Sequence, residues 1–303
     1  MPTVLVTGAA GFIGRHLCGH LRCRPGLRVI GLTRREPPAD AGGIEWRRAD
    51  LLDPSSLGAI IQEVGPDQVF HLAGLANPNR AKDRPDLARA DNLTATENLY
   101  AALAGTPVRV LFAGTGHVYA ATAVVTEQTP VVPNGPYAES KAAADAVSGD
   151  AGRRFGLPVV LARLFNAIGP GQETGYAVPD WASQIAAAER RGGPLTLTPR
   201  GSLADRKDLS DVRDVVVALA LLLERGQAGQ VYNVASGESR GMGEVLGRLV
   251  AQAKVPVAWP RPTALGPPLT VDVSKLHAAT GWRPTTPFDR TLADVLDFWR
   301  AAS

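Results

Sequence analysis

The chain has 303 residues, 45% hydrophobic, 20% charged and 6% aromatic, a balance that excludes a disordered chain, a collagen and a coiled coil. Its net charge of +3 comes without a Lys/Arg-rich run, which speaks against a nucleic-acid partner and for a small anionic ligand. At about 150 residues per domain the length suggests two domains.

The chain opens Met1-Pro2-Thr3-Val4-Leu5-Val6-Thr7-Gly8, directly into a strand and a glycine turn with no room for a cleavable leader, so a cytoplasmic protein is expected. Strands are predicted at 4–7, 28–32, 68–72, 109–112 and 158–163, with helices near 11–23, 54–64, 87–103 and 137–155 between them. That alternation implies right-handed crossovers and a parallel sheet buried on both faces: a Rossmann-type doubly wound α/β fold. Cys18 and Cys23 lie five apart in the first helix, without metal-ligand or redox spacing. Both read as half-buried side chains, and no metal site is expected.

Beyond residue 163 the chain is punctuated by Pro170-Gly171, Gly192-Gly193-Pro194, Pro260, Pro262, Gly266 and Pro268, as in loops and short elements. The apolar run 215–223 is flanked by Asp214 and Glu224 and is too short for a membrane span of about 20 residues. It reads as part of a buried helix over 211–224, after which a strand at 230–234 resumes the α/β pattern. A cofactor domain of residues 1–165 plus about 207–235 is therefore expected, with a smaller, discontinuous C-terminal substrate-binding domain of about 166–206 plus 236–303.

Thr7-Gly8-Ala9-Ala10-Gly11-Phe12-Ile13-Gly14 follows the first strand and opens the first helix. Glycines there allow a tight turn and close approach of a dinucleotide pyrophosphate, met by free N–H groups and the positive end of the helix dipole. At the end of the second strand, where an acidic residue would bind the ribose of NAD, stand Arg34 and Arg35. Guanidinium groups suit a 2′-phosphate, so NADP(H) is favoured over NAD(H). Asp50-Leu51 would border the adenine, and Leu72-Ala73-Gly74, after His71, the nicotinamide ribose. Tyr137 and Lys141, four apart at a helix start, share one face. An ammonium near a phenol of pKa about 10 favours the phenolate and suits the pair to acid/base work.

The glycine turn, Thr115 shortly before Val118-Tyr119, and Tyr137-x-x-x-Lys141 together resemble the extended short-chain dehydrogenase/reductase (NAD-dependent epimerase/dehydratase) family. Arg163-Leu164-Phe165-Asn166, Gly169-Pro170-Gly171-Gln172, Val178-Pro179-Asp180, the stretch from Asp208 to Asp214, Val231-Tyr232-Asn233-Val234 and Thr280-Gly281-Trp282-Arg283-Pro284 look like its nucleotide-sugar enzymes, most of all the GDP-4-dehydro-6-deoxy-D-mannose reductases. The resemblance implies Tyr137 as acid/base, Lys141 bound to the nicotinamide ribose and tuning Tyr137, and Thr115 bonded to the reacting oxygen. It also implies cofactor contacts from Gly8, Gly11, Phe12, Ile13, Gly14 and Leu164, substrate contacts from Asn166, Val178, Arg206, Lys207 and Arg261, and a homodimer built from the helices at 87–103 and 137–155.

The departures lie on the substrate side. Where the family's dehydratases carry a Glu, often after an Asp, this chain has Gly116 and His117, so net dehydration is not expected. Related epimerase-reductases can carry a Cys at the place of His117, and an imidazole could move a carbon-bound proton there. Lys207 replaces the family's Arg, Ala264 an acidic residue, and Ala167-Ile168 a His or Thr; the loop 75–80 lacks the usual serines. The expected activity is NADPH-dependent 4-ketoreduction of a nucleotide-activated 4-keto-6-deoxyhexose, GDP-linked. An epimerase on the same fold is the first alternative. A noncatalytic NADP(H) sensor is the second, opposed by the intact Thr115, Tyr137 and Lys141.

Overall fold

The computed structural model describes residues 1–37 and 43–302. Seven strands form one parallel sheet: β1 (Thr3–Thr7), β2 (Arg28–Thr33), β3 (Glu45–Arg48), β4 (Gln68–His71), β5 (Arg109–Thr115), β6 (Val159–Leu164) and β7 (Val231–Val234). Their order is β7-β6-β5-β4-β1-β2-β3, a doubly wound fold. The chain builds outward from β1 through β3, then returns to place β4 on the other side of β1, with Thr7 opposite His71. That reversal opens a crevice at the carboxyl ends of β1 and β4, the place where open α/β sheets bind ligands. β1 and β6 are buried along their whole length, as a sheet covered on both faces requires.

The larger helices are α1 (Phe12–Arg22), α2 (Pro54–Val64), α3 (Ala95–Leu103), α4 (Pro136–Gly149), α5 (Ala177–Arg191), α6 (Val212–Arg225), α7 (Met242–Val250) and α8 (Phe288–Ala301). α1 and α6 pack together over one face of the sheet through Leu17, Leu21, Val215 and Leu219. α2, α3 and α4 cover the other through Leu57, Ile61, Leu99, Tyr100 and Ala144. Local signals set the ends: Asp53 caps α2 by accepting from the Ser55 and Ser56 N–H groups, Pro54 occupies the first turn, and Gly65 ends the helix at φ +52.

A third core lies under α5, α7 and α8, around Trp181, Ile185, Leu246 and Leu292. Beside it Ser239–Gly241, Arg206–Asp211 and Asn166–Ile168 form a small sheet in that order. Acidic residues of its middle strand and of the first turn of α6 fasten elements together. Asp208 accepts from the Ser236 and Gly237 N–H groups at 2.8 Å each. Asp211 accepts from Thr291 Oγ1 at 2.7 Å on α8, and Asp214 from Thr285 Oγ1 and the Thr286 N–H at 3.0 Å.

Three expectations change. The helix at 87–103 is interrupted by a π turn at Ala90–Thr94 and is preceded by short helices at Pro78–Asp83 and Pro85–Arg89; Asn77, accepting from two N–H groups of the first of these, supplies a cap the apolar pattern does not reveal. The helix at 137–155 ends at Gly149 and restarts at Ala151. The cysteines are not alike: Cys18 is buried, its thiol pushed up to about 12 by desolvation, and Cys23 is exposed. Among the described residues no helix is long and apolar enough to cross a membrane.

Candidate active site

The glycine turn lies at the crevice. Gly8 has φ +69, and a Cβ there would stand 2.7 Å from the Ala73 nitrogen, so the loops after β1 and β4 touch only because this residue is glycine. α1 begins behind Gly11 with no side-chain cap, leaving its first N–H groups to an anion. A cradle that a Cβ would fill, beside an uncapped helix start, fits a dinucleotide pyrophosphate. Gly14 packs under the turn, where a Cβ would lie 2.1 Å from the Gly8 carbonyl oxygen. Gly14→Ala is expected to cost about 1–3 kcal/mol and to weaken cofactor binding; equal thermal stability and an unchanged dissociation constant would contradict this.

At the end of β2, where the sequence leads us to expect the adenine end of the cofactor, Arg34 is exposed and paired with Asp91 at 3.0 Å. The Arg35 N–H donates to Thr33 Oγ1, and Asp50 Oδ1 accepts from the Leu52 N–H; Leu51 is buried.

Thr115 ends β5 and caps the turn Gly116–Val118 through the His117 N–H. Tyr137 stands in the first turn of α4, behind Pro136, with its phenol beside the Thr115 side chain. Lys141, one turn on, is buried and donates from Nζ to the Ala113 carbonyl at 3.3 Å. The structure therefore brings Thr115, Tyr137 and Lys141 to one place beside the glycine turn. Desolvation raises the Tyr137 pKa, with the Thr115 hydroxyl opposing it. This departs from the expectation of a phenol lowered by Lys141, whose ammonium is bonded instead to the backbone of β5. Burial pushes Lys141 down to about 8, against the pull of Asp145.

A directed hydrogen-bond chain connects the glycine turn to α4. Thr96 Oγ1 donates to the Asn92 carbonyl at 2.6 Å, so at its 2.9 Å contact with His71 Nε2 it accepts, and the proton sits on Nε2. The bare Nδ1 then accepts from Thr7 Oγ1 at 2.8 Å, and Thr7 Oγ1 accepts in turn from the Ala73 N–H. Burial lowers the His71 pKa to about 3, so the ring is neutral and fixed as one tautomer. Asn92 donates to Ser140 Oγ at 2.9 Å, and Ser140 donates to the Tyr137 carbonyl. Asn92 owes this reach to the π turn. Its Oδ1 is buried without a hydrogen-bond partner. Gly74 keeps open the space there: a Cβ would meet Asn92 Oδ1 at 2.4 Å and Lys141 Nζ at 3.2 Å.

On the substrate side, the His117 ring packs edge-on to Tyr137 with centroids 5.9 Å apart. It lies at the cleft mouth, and its pKa is lowered by desolvation and by Lys207, against a hydrogen bond to the Asn166 side chain. Asn166 also donates to the Asp208 carbonyl at 3.0 Å. Thus His117, Asn166 and Lys207 cluster near Tyr137, but Arg206 does not join them. Strand alternation turns it to the opposite face, where it donates to Ser239 Oγ and O at 3.1 and 2.9 Å. The Val178 side chain is buried in the third core. Arg261 is exposed, stacked on Trp259 at 4.5 Å, and lines a cavity of about 400 Å³ with Ser202, Ala204 and Thr263. The sequence reading missed Tyr176, whose phenol is raised to about 12, first by desolvation and then by neighbouring Tyr137. Nothing in its local spacing marks it.

The NAD dependent epimerase/dehydratase family matches residues 4–235. The chain is 32% identical over 315 residues to the GDP-6-deoxy-D-mannose reductase of Pseudomonas aeruginosa, covering 98% of this chain and 97% of that protein. The chain belongs to the NAD dependent epimerase/dehydratase family. It is an NAD(P)-dependent enzyme of the extended short-chain dehydrogenase/reductase type. Within the family it is also 28% identical to the dTDP-glucose 4,6-dehydratase of Xanthomonas campestris pv. campestris, across 99% of this chain and 93% of that one. Among solved structures of the family, that of RMD from Pseudomonas aeruginosa complexed with NADPH superposes with TM-score 0.84 at 32% identity, covering 99% and 100% of the two chains. The UDP-glucose 4-epimerase of Thermus thermophilus in complex with NAD does so with TM-score 0.82 at 31% identity and the same coverage.

Proposed function

We propose that this enzyme is an NADPH-dependent 4-ketoreductase of a nucleotide-activated 4-keto-6-deoxyhexose, most closely a GDP-linked one. The observation that carries the reading is the Thr115–Tyr137–Lys141 group beside the glycine cradle, with Gly116 and His117 where a dehydrating enzyme of the family would need carboxylates. The relation to the P. aeruginosa GDP-6-deoxy-D-mannose reductase supports it. The cofactor would rest on the α1 N-terminus and against Gly74 and Lys141, and when bound it supplies hydride to the sugar C4. Tyr137, protonated at neutral pH, donates its proton to the oxygen at C4 as negative charge develops there. Thr115 donates to the same oxygen and holds it in line with the phenol. Lys141, charged below about 8 and held on the Ala113 carbonyl, would bind the cofactor's nicotinamide ribose and so set the reacting carbon beside Tyr137. Lys207 and Asn166, with Arg261 farther out, would hold the substrate's pyrophosphate. Residues 166–206 and 236–303 would form its nucleotide-sugar lobe, and the half-exposed small-residue faces of α3 and α4 a homodimer interface.

Purified enzyme given NADPH and a panel of nucleotide 4-keto-6-deoxyhexoses is expected to oxidise NADPH most rapidly with the GDP-linked member. Release of a 4-keto product from an unmodified nucleotide hexose would instead indicate a dehydratase. A second reading is favoured by the 5.9 Å ring contact of His117 with Tyr137: an imidazole there could support epimerisation, which would proceed without net NADPH loss.

NADP(H) preference is assigned to Arg34 and Arg35. Arg34→Asp is expected to raise the KM for NADPH by about tenfold or more, as loss of a charge-assisted phosphate contact should, while changing that for NADH little. Equal effects on both cofactors would remove the assignment.

A further inference from the structure

Behind Lys141 lies a buried charge cluster with no part in the chemistry described above. Asp145 follows Lys141 by one turn of α4, and Arg163 reaches it from β6, with Nε 3.2 Å from Oδ1 and Nη2 2.6 Å from Oδ2. The two side chains are 8% and 7% exposed, so both charges are almost wholly out of water. Gly114 on β5 makes room for them, since a Cβ there would stand 3.0 Å from Asp145 Oδ1. The guanidinium is covered by the Tyr119 ring at 4.7 Å, and Tyr119 Oη donates to Asn233 Oδ1 at 2.7 Å.

An apolar pair of similar size would serve stability as well as a desolvated ion pair does, so stability alone is a weak reason for this one. The neighbourhood supplies another. The titratable groups facing the cluster are His71 from β4, Tyr100 from α3, Tyr119 and, on its far side, Glu127 from the segment after β5, and Tyr137 on α4 itself. His71 is neutral and the three phenols are raised above their ordinary range. At the centre stand two cations, Lys141 and Arg163, with the Asp145 carboxylate one helical turn from the first and bonded to the second, while the Glu127 carboxylate lies beyond the Tyr119 ring.

We propose that Asp145, fixed by Arg163, is a positioning residue for Lys141: its carboxylate keeps the buried ammonium charged behind Tyr137, and the bond to Arg163 limits how strongly it does so. The proposal rests on Lys141 being the cation that serves Tyr137. It makes two variants act in opposite directions. Asp145→Asn removes the carboxylate and lets desolvation discharge Lys141 at lower pH. Arg163→Gln frees the carboxylate to face the ammonium and keeps Lys141 charged to higher pH. Simple loosening of the fold would hydrate Lys141 and move its titration upward in both.

The chain has just five lysines, Lys82, Lys141, Lys207, Lys254 and Lys275, so a carbon-13 label at lysine Cε gives few resonances, and the Lys141 signal is the one missing in Lys141→Met. In the intact protein its titration is expected near about 8. Asp145→Asn should lower that midpoint by about one pH unit, Arg163→Gln should raise it, and Asp145→Glu should leave it near the starting value. If Asp145→Asn does not fold, Asp145→Ser, which removes the same carboxylate and keeps Arg163, must still lower the midpoint. An unmoved or raised midpoint on loss of the carboxylate overturns the proposal. The titration needs no turnover: shifted midpoints without sugar reduction would count against the proposed reaction alone, and turnover with unmoved midpoints against the role of Asp145 alone.

Discussion

Tyr137→Phe is expected to lower kcat by about 10²–10⁴-fold while the KM for NADPH and for the sugar nucleotide stay within a few-fold. The phenol oxygen is the one atom lost, and its neighbour Thr115 remains capped against the His117 N–H, so the fold of the site is retained. Phenylalanine keeps the ring and its edge-on contact with His117. The proton must then come from water, from His117, or from the hydroxyls of Thr115 and Tyr176 nearby, none of which stands in the place of the lost phenol. Steady-state kinetics with a thermal melt as control decide it. A variant that oxidises NADPH at the original rate would show that Tyr137 is not the donor. Loss of rate accompanied by collapse of the melt would locate the effect in folding.

The pH profile should be set by Lys141. Its ammonium loses its proton as pH rises through about 8, because burial disfavours the charged form. Tyr137, raised by desolvation, stays protonated well beyond that point. If the charged lysine is the competent form, kcat/KM is level below this range and falls on the alkaline side with a midpoint near about 8 in the free enzyme. Lys141→Met should abolish that limb and lower kcat/KM by about 10²–10³-fold, the usual cost of one preorganised electrostatic partner. A profile that runs flat past pH 9, or a Lys141→Met enzyme that keeps the limb, would assign the limb to another group.

The sheet was legible in the chain because its strands are buried on both faces, so β1, β2, β5 and β6 appear as apolar runs between helices of ordinary length. β3 is half exposed at the sheet edge, and its run Glu45-Trp46-Arg47-Arg48 carries no such signal. The grouping of Thr115, Tyr137 and Lys141 was legible because each member lies within or beside a short motif. What escaped depends on contacts between distant segments. His71 looks like any strand residue until Thr7 and Thr96 are brought to its two nitrogens. Asn92 reaches Ser140 through a π turn, which leaves no periodic trace. Arg206 and Lys207 are neighbours in sequence and read as one cationic patch, yet a strand sends successive side chains to opposite faces. Asp145 and Arg163 read as an ordinary helix acid and a strand-end base; the enclosed space that makes their charges matter exists only after α4 packs on β5 and β6.

Hydride arriving at C4 of a nucleotide-linked keto sugar while Tyr137 supplies the proton can be followed by deuteride transfer. The enzyme is incubated with NADPH deuterated at the transferable position and GDP-4-keto-6-deoxymannose, and the product is read by NMR and mass spectrometry. One deuterium is expected, at C4, on a single face of the ring, with NADPH consumed in step. Sugar product carrying no deuterium, or exchange at a ring carbon beside the ketone without NADPH consumption, would contradict it.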